Sequence, residues 1–462
     1  MDELRELFRR AAEHAADYRR TLAERPVGVP VDQATLNRAF AIELPATPTP
    51  PEQVLTELVA AAEPGLVATA GPRYFGFVVG GASPAATAAD MLAAGWDQIA
   101  FNAVTSPAAV AAGTWLKDLL GIPATASVGF VTGGQAANTA GLAAARHQVL
   151  ADAGWDVERR GLLGAPPVRV LAGAERHATV DRSLRLLGLG TDAVTEVPAG
   201  PQGAIDPEAL AAALRGSPTG PTVVCLQAGN VNTGAFDELR TACDLVHRHG
   251  GWVHVDGAFG LWAAANPSTR HLVDGIEAAD SWACDGHKWL NLPYDIAFAF
   301  CARPDVHAAA LSYAAAYLVG SGGVPAGADL TAESSRRARG FAAWAGLREL
   351  GRDGVAALVE RCCALARRVA DGLTAAGFEV VNDVVLNQVL VGFGDDAATD
   401  RVVAATQADG TCWVGGTTWR GRRLMRISVS NATTTEADVD RSVAAISRLA
   451  RRTGEGMLHS RP

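Results

Sequence analysis

Asp280-Ser281-Trp282-Ala283-Cys284-Asp285-Gly286-His287-Lys288-Trp289 reads as a short β-like run that closes on a histidine and a lysine. About one strand and one connection upstream, His254-Val255-Asp256-Gly257-Ala258 reads as a second run that closes on a carboxylate. The chain has 40 basic residues, and all are arginine except Lys117 and Lys288. Arginine stays protonated and cannot act as an amine nucleophile, whereas a lysine in a dry pocket can lose its proton and attack a carbonyl. Lys288 is therefore the candidate for covalent chemistry. Lys117 sits in the amphipathic run Thr114-Trp115-Leu116-Lys117-Asp118-Leu119-Leu120 and reads as a surface residue.

Outward from these runs, short β-rich segments alternate with helical ones. The strands expected are Ser127–Val131, Val168–Ala172, Ala193–Val197, Thr222–Gln227, Trp252–Val255, Ser281–Cys284 and Ile296–Cys301. Helical periodicity marks Gln135–Val149, Val180–Leu187, Pro207–Leu214 and Asp237–His249. Such alternation predicts an α/β fold with a mostly parallel seven-stranded sheet whose ligands bind outside the carboxyl ends of the strands. After about Pro304 the order changes to long helices and short strands, which predicts a smaller α+β unit. The expected division is a helical arm over 1–65, a large domain over 66–305 and a small C-terminal domain over 306–462. In the arm, Leu4, Leu7, Ala11, Ala15, Tyr18 and Leu22 form a single apolar stripe expected to lie against the main domain or a second subunit.

Composition narrows the partners. With 462 residues, 49% of them hydrophobic, the chain can fill a sizeable core. A net charge of -9 without a basic, aromatic-flanked cluster argues against nucleic acid. The seven cysteines include no Cys-x-x-Cys pair, so neither a disulfide framework nor a metal site is expected. No run of about 18 apolar residues suggests a membrane span, and the charged N-terminus lacks an apolar leader, so a soluble cytoplasmic protein is expected.

Three further motifs carry chemistry. Gly129-Phe130-Val131-Thr132-Gly133-Gly134-Gln135 is a strand, a glycine turn and a helix start, which either holds an anion on free N–H groups or simply connects two elements. Asp256, at an apolar strand end, either caps the next turn or meets a cation such as a protonated pyridine nitrogen. His177 opens a helix, as a cap or as a flat ring able to stack on an aromatic cofactor. An anion cradle, a stacking ring, a buried carboxylate and a strand-end lysine, in that order on one sheet, together match the phosphate, ring face, ring nitrogen and aldehyde of pyridoxal phosphate.

With these residues the chain resembles the pyridoxal-phosphate-dependent group II amino acid decarboxylases of fold type I, the family of aromatic amino acid and glutamate decarboxylases. The likeness runs from Pro72-Arg73-Tyr74-Phe75 and Thr105-Ser106-Pro107 through Gln227–Ala235, Asp256, His287-Lys288 and Ser335–Arg339 to Arg426–Asn431. It implies amino acid decarboxylation by a homodimer with shared active sites and a swapped N-terminal arm. It also implies Lys288 as the Schiff-base lysine, Asp256 as partner of the ring nitrogen, His177 stacked on the ring and Ala258 on its other face. Gly133, Gly134, Gln135, Asn230 and His287 complete the implied cofactor site, with Phe77, Gly80, Phe101 and Arg426 toward substrate.

Three positions depart from the family pattern. Asn230 stands where threonine is commoner, no acidic residue occurs in Ala108–Ala112, and the loop Val319–Thr331 lacks the tyrosine that returns a proton to Cα. Tyr317 precedes that loop and matches the family's Tyr-Leu pair instead. Without that proton donor, the alternatives are carbon–carbon cleavage, decarboxylation-dependent oxidative deamination, transamination, or a weakly active cofactor-binding protein.

Overall fold

The computed structural model describes residues 2–28, 31–100, 105–216, 220–312 and 327–458. The chain forms two compact units, one of residues 80–367 and 382–389, the other of residues 1–79, 368–381 and 390–462.

In the first unit seven strands form one sheet: β1 (Ser127–Val131), β2 (Arg169–Gly173), β3 (Val194–Val197), β4 (Thr222–Gln227), β5 (Trp252–Asp256), β6 (Ser281–Asp285) and β7 (Ala297–Cys301). Their order is β1-β7-β6-β5-β4-β2-β3, and only β7 runs antiparallel to its neighbours. The fold is the α/β class read from the sequence, and every strand lies within one residue of its expected bounds. All residues of β4, β5, β6 and β7 are buried, which is why these strands read as apolar runs without alternation. Trp252 and Trp282 are among the largest fully buried side chains. The Trp282 indole donates to Ile276 O at 2.9 Å, so its polar edge is not stranded.

Helix Gly134–Asp152 covers β5, β6 and β7. Its glycines permit the approach: a Cβ on Gly141 would lie 2.5 Å from His254 Cε1. Leu239, Ala242, Cys243 and Val246 are buried in helix Leu239–Arg248, the i, i+3, i+4, i+7 stripe of an amphipathic helix. Helix Pro207–Arg215 starts with proline at its first position, and Asp206 accepts from Glu208 N and Ala209 N.

The register of the sheet positions the site. Val131 on β1 and Asp285 on β6 both lie opposite Ala297 on β7, so the glycine turn after β1 emerges level with the end of β6. Asp256 pairs with Ala283 and with Gln227, which aligns the carboxyl ends of β4, β5 and β6.

In the second unit a four-stranded sheet of order β10-β11-β9-β8 contains β8 (Glu379–Val380), β9 (Gln388–Gly392), β10 (Gly415–Trp419) and β11 (Arg422–Ser428). Strand β10 is absent from the sequence reading because Gly415-Gly416 masks it. It turns into β11 through Arg420 (φ 49°) and Gly421 (φ 77°), a two-residue hairpin turn needing positive φ at both positions. Helices Gln33–Phe40 and Asp396–Asp409 here, and Pro304–Leu311 in the first unit, were also not anticipated. Segment 71–79 is buried except at Phe77. Arg73 is buried, donating to Ala23 O, Thr411 O and Asp438 Oδ1.

Arg337 and Arg339 pair with Asp90 and Asp295 where helix Arg339–Ala375 begins. Lys117, by contrast, keeps a structural role and donates to Ala124 O and Ala126 O after its helix ends.

Candidate active site

A cavity of ≈ 260 Å³ opens at the carboxyl ends of the sheet, lined by Gly133, Gly134, Gln135, Asn138, His177, Thr179, Gln227, Gly229, Val231, Asp256, Ala258, Phe259, Asp285, His287 and Lys288. Every cofactor residue proposed from sequence lines it except Asn230.

Gly133 and Gly134 form the turn out of β1. A Cβ on Gly134 would meet Asp285 Oδ2 at 2.7 Å, whereas one on Gly133 would make ordinary contact with His287 Cε1 at 3.4 Å. Glycine is therefore required at 134 for the turn to close over the end of β6. Helix Gly134–Asp152 begins here with no side-chain cap, so its first N–H groups and the positive end of its dipole face the cavity.

Asp285 ends β6 and is buried, its N–H donating to Ala258 O and its carbonyl accepting from the Trp262 indole. Lys288 Nζ lies 2.8 Å from Asp285 Oδ2, while 23% of the lysine side chain remains open to the cavity. Burial alone would push the Lys288 amine down. The Asp285 carboxylate outweighs it through charge and hydrogen bond, Asp256 adds to it, and the net shift is upward. Lys288 is thus held charged by Asp285. Asp285 Oδ1 is buried, accepts no hydrogen bond from any described residue and lies 3.5 Å from His287 Nε2.

His287 Nδ1 accepts from Ile296 N, which leaves the proton on Nε2. Burial pushes its pKa below the usual histidine value, so a neutral ring presents that N–H. His177 caps helix Ala178–Leu186, its Nδ1 2.8 Å from Thr179 Oγ1 and accepting from Thr179 N. It is therefore both a cap and a wall of the cavity.

Asp256 Oδ2 accepts from Asn138 Nδ2 at 3.0 Å and Thr179 Oγ1 at 3.4 Å, and Oδ1 from Ala258 N at 3.3 Å. All these donors are neutral, and none of the ion pairs among the described residues includes Asp256. A buried carboxylate held this way still lacks a counter-charge, which a protonated pyridine nitrogen would supply.

Asn230 does not face the cavity. Its Oδ1 accepts from Asn232 N and Thr233 N, and its Nδ2 donates to Glu175 O, so the side chain closes its own turn. Gln227, next to it on β4, lines the wall instead. Gly80 packs on the Lys288 backbone, where a Cβ would lie 1.9 Å from the carbonyl oxygen. Phe77, exposed and at φ 52°, stacks on Trp413 in the second unit, where half-buried Arg426 lies on β11 opposite Gly415. Phe101, Tyr317 and most of the loop read as lacking a tyrosine lie outside the described residues.

Sequence reasoning missed Asp285, Asn138, Thr179 and Gln227. Asp285 was legible as a carboxylate three residues before Lys288, and Asn138 as the polar residue one turn into an alanine-rich helix. Among the described residues no group of three or more His, Cys, Asp or Glu is placed to hold a metal.

The pyridoxal-dependent decarboxylase conserved domain matches residues 34–393. Tryptophan decarboxylase 1 of Oryza sativa subsp. japonica is 27% identical, over 93% of this chain and 90% of its own length. Phenylacetaldehyde synthase of Petunia hybrida is also 27% identical, over 64% of this chain and 60% of its own. The crystal structure of Oryza sativa TDC with PLP and tryptamine superimposes with a TM-score of 0.91 at 24% identity, covering 98% of each chain.

Proposed function

We propose that this chain, which belongs to the pyridoxal-dependent decarboxylase family and is a pyridoxal-phosphate-dependent carboxy-lyase, acts on an aromatic L-amino acid with Lys288 as its covalent lysine. One observation carries the residue roles: a lone lysine amine 2.8 Å from a buried carboxylate, in a cavity that also holds an uncapped helix start and a carboxylate without a counter-charge. The aromatic substrate class rests on the relatives, a tryptophan decarboxylase and a phenylacetaldehyde synthase.

The residues present fit the cofactor. Gly134, Gln135 and the His287 Nε2–H would hold the phosphate, Asp256 the ring nitrogen, and His177 and Ala258 the two ring faces. Pyridoxal phosphate bound there supplies an electron sink for the Cα bond that breaks. Asp285 holds Lys288 Nζ charged and in place, and the amine must give up that proton before it can attack a carbonyl. Asp256, held by its neutral donors, would face the ring nitrogen and its proton. Val231 and Phe259 give the cavity part of its apolar lining.

A second reading, decarboxylation with oxidative deamination, is favoured by the loop Val319–Thr331, which contains no tyrosine, and by the likeness to phenylacetaldehyde synthase. It consumes one dioxygen and one water per amino acid and releases carbon dioxide, ammonia, hydrogen peroxide and an aldehyde. Incubating the holoenzyme with L-tryptophan, L-tyrosine and L-phenylalanine separates the two. Equal amounts of carbon dioxide and amine are expected for decarboxylation, and peroxide with aldehyde for the second reading. Absence of carbon dioxide from every amino acid sinks both.

A homodimer in the cytoplasm completes the reading. Helices Asp2–Thr21, Gln33–Phe40 and Pro51–Ala62 contain no buried residue, and Leu4, Phe8, Phe40, Ile42 and Leu44 are exposed. A second subunit would cover them. All seven cysteines are unbonded, as a reducing compartment favours, and no described helix is long and apolar enough to cross a membrane. Sedimentation of the full chain at several concentrations tests the assembly, and a monomer at all of them removes it.

A further inference from the structure

Strand β5 alternates, so Trp252, His254 and Asp256 project to one face, toward helix Gly134–Asp152. Asn138 and Gly141 meet them there from one helical turn, and Ser281 stands beside His254 in the parallel register of β6. These polar groups are buried, where apolar side chains would pack at less cost. Their hydrogen bonds allow one direction only.

The Trp252 indole can only donate, so Ser281 Oγ accepts it at 2.9 Å. The serine proton goes to His254 Nδ1 at 2.9 Å rather than to Gly141 O at 3.5 Å. Asn138 Nδ2 donates to Asp256 Oδ2 and to Thr179 Oγ1, both at 3.0 Å, which leaves Asn138 Oδ1 facing His254 Nε2 at 2.9 Å as an acceptor. Turning that amide over would set its oxygen against the Asp256 carboxylate. His254 is therefore neutral, with its proton on Nε2, and burial supports this by pushing its pKa down to about 4. Five side chains thus form a single-file chain of donors that ends on Asp256 Oδ2, each bond polarising the next.

We propose that His254 is a positioning residue which, fed by Ser281 and acting through Asn138, holds the Asp256 carboxylate oriented and ionised toward the ring nitrogen of the cofactor. The inference rests on the pyridoxal phosphate reading above. His254 touches neither cofactor nor substrate in this role. Without its Nε2–H, the Asn138 amide oxygen has no donor, and the amide that holds Asp256 is no longer fixed in place.

Two substitutions and two readouts test it. His254→Phe keeps a ring against Gly141 and removes both nitrogens, while His254→Gln restores a donor toward Asn138. Each holoprotein is reconstituted with pyridoxal phosphate labelled with ¹⁵N at the ring nitrogen, and cofactor affinity and the ¹⁵N chemical shift are measured. The expected result for His254→Phe is an affinity loss of about tenfold and a shift toward the unprotonated nitrogen, with His254→Gln returning both most of the way. A wild-type ¹⁵N shift in His254→Phe overturns the proposal, as does an affinity loss that His254→Gln shares in full. If His254→Phe does not fold, Ser281→Ala removes the proton into Nδ1, together with the acceptor of the Trp252 indole. It should move the ¹⁵N signal the same way, and an unmoved signal overturns the proposal equally. A wild-type protein that binds no labelled cofactor instead fails the function itself, which separates the two.

Discussion

Strands β5 and β6 lie side by side and each ends in a buried aspartate, yet the two ends are built differently. At β5, Asp256 accepts only neutral donors, Asn138, Thr179 and its own following turn. At β6, Asp285 meets the Lys288 ammonium on one oxygen and lies 3.5 Å from His287 Nε2 with the other. The first end is held by neutral donors, and the second faces a cation. A site that must hold a cationic ring still while a lysine exchanges its proton needs both kinds of end.

Removing the lysine should have the largest effect. Lys288→Ala is expected to lower kcat by roughly 10⁴-fold or more and to abolish the adduct trapped by borohydride. Finding that adduct on Lys117 by peptide mass spectrometry would break the assignment of β6 as the reactive end. At β5, Asp256→Asn keeps the size and removes the charge, and kcat should fall on the order of 10²-fold. Because an uncompensated buried charge disappears, the cofactor-free protein should melt higher, not lower, by calorimetry. A lower melting temperature there would mean that the carboxylate already has a counter-charge.

The β5 end also carries a pH signature. His254 has its folded pKa depressed to about 4, so between that value and the free histidine value of about 6.5 the unfolded chain binds a proton that the native one does not. Stability should therefore rise with pH across this window, by on the order of 3 kcal/mol in full, and be flat in this respect above it. Urea unfolding at pH 5 and pH 7 measures it, and a slope unchanged in His254→Phe would remove the histidine as its cause. The smallest effect belongs to β6. Asp285→Asn relieves the pull that raises the Lys288 pKa, so the amine is free at lower pH. The cofactor should then react with the lysine about threefold faster at neutral pH, followed by the growth of its visible absorption band. Slower formation would show that Asp285 is needed as the proton acceptor.

How much of this could be read along the chain depends on the distance between the residues involved. Lys288 stood out by composition, Asp256 and the Gly133-Gly134 turn by their place at strand ends, and His177 by opening a helix. Asp285 was passed over although it lies in the same run as Lys288, because a carboxylate near a lysine in sequence is usually a surface pair. Asn230 was assigned to the cofactor by position in a pattern, and its side chain instead serves its own turn with Thr233 and Glu175. An asparagine is short enough to bond its own backbone two and three residues on, and that local bond prevails over the cavity.

Local order determined the seven strands, the helices that cover them and the residue types at the strand ends, since apolar runs and turn residues act over a few positions. Tertiary structure alone decided that β7 inserts antiparallel between β1 and β6, and so that Gly134 closes over Asp285. It alone joined Asn138 to His254 and Asp256 across 116 and 118 residues of chain. Hydrogen-bond direction and counter-charge are properties of neighbours in space, and in a chain folded through a parallel sheet those neighbours are rarely neighbours in sequence.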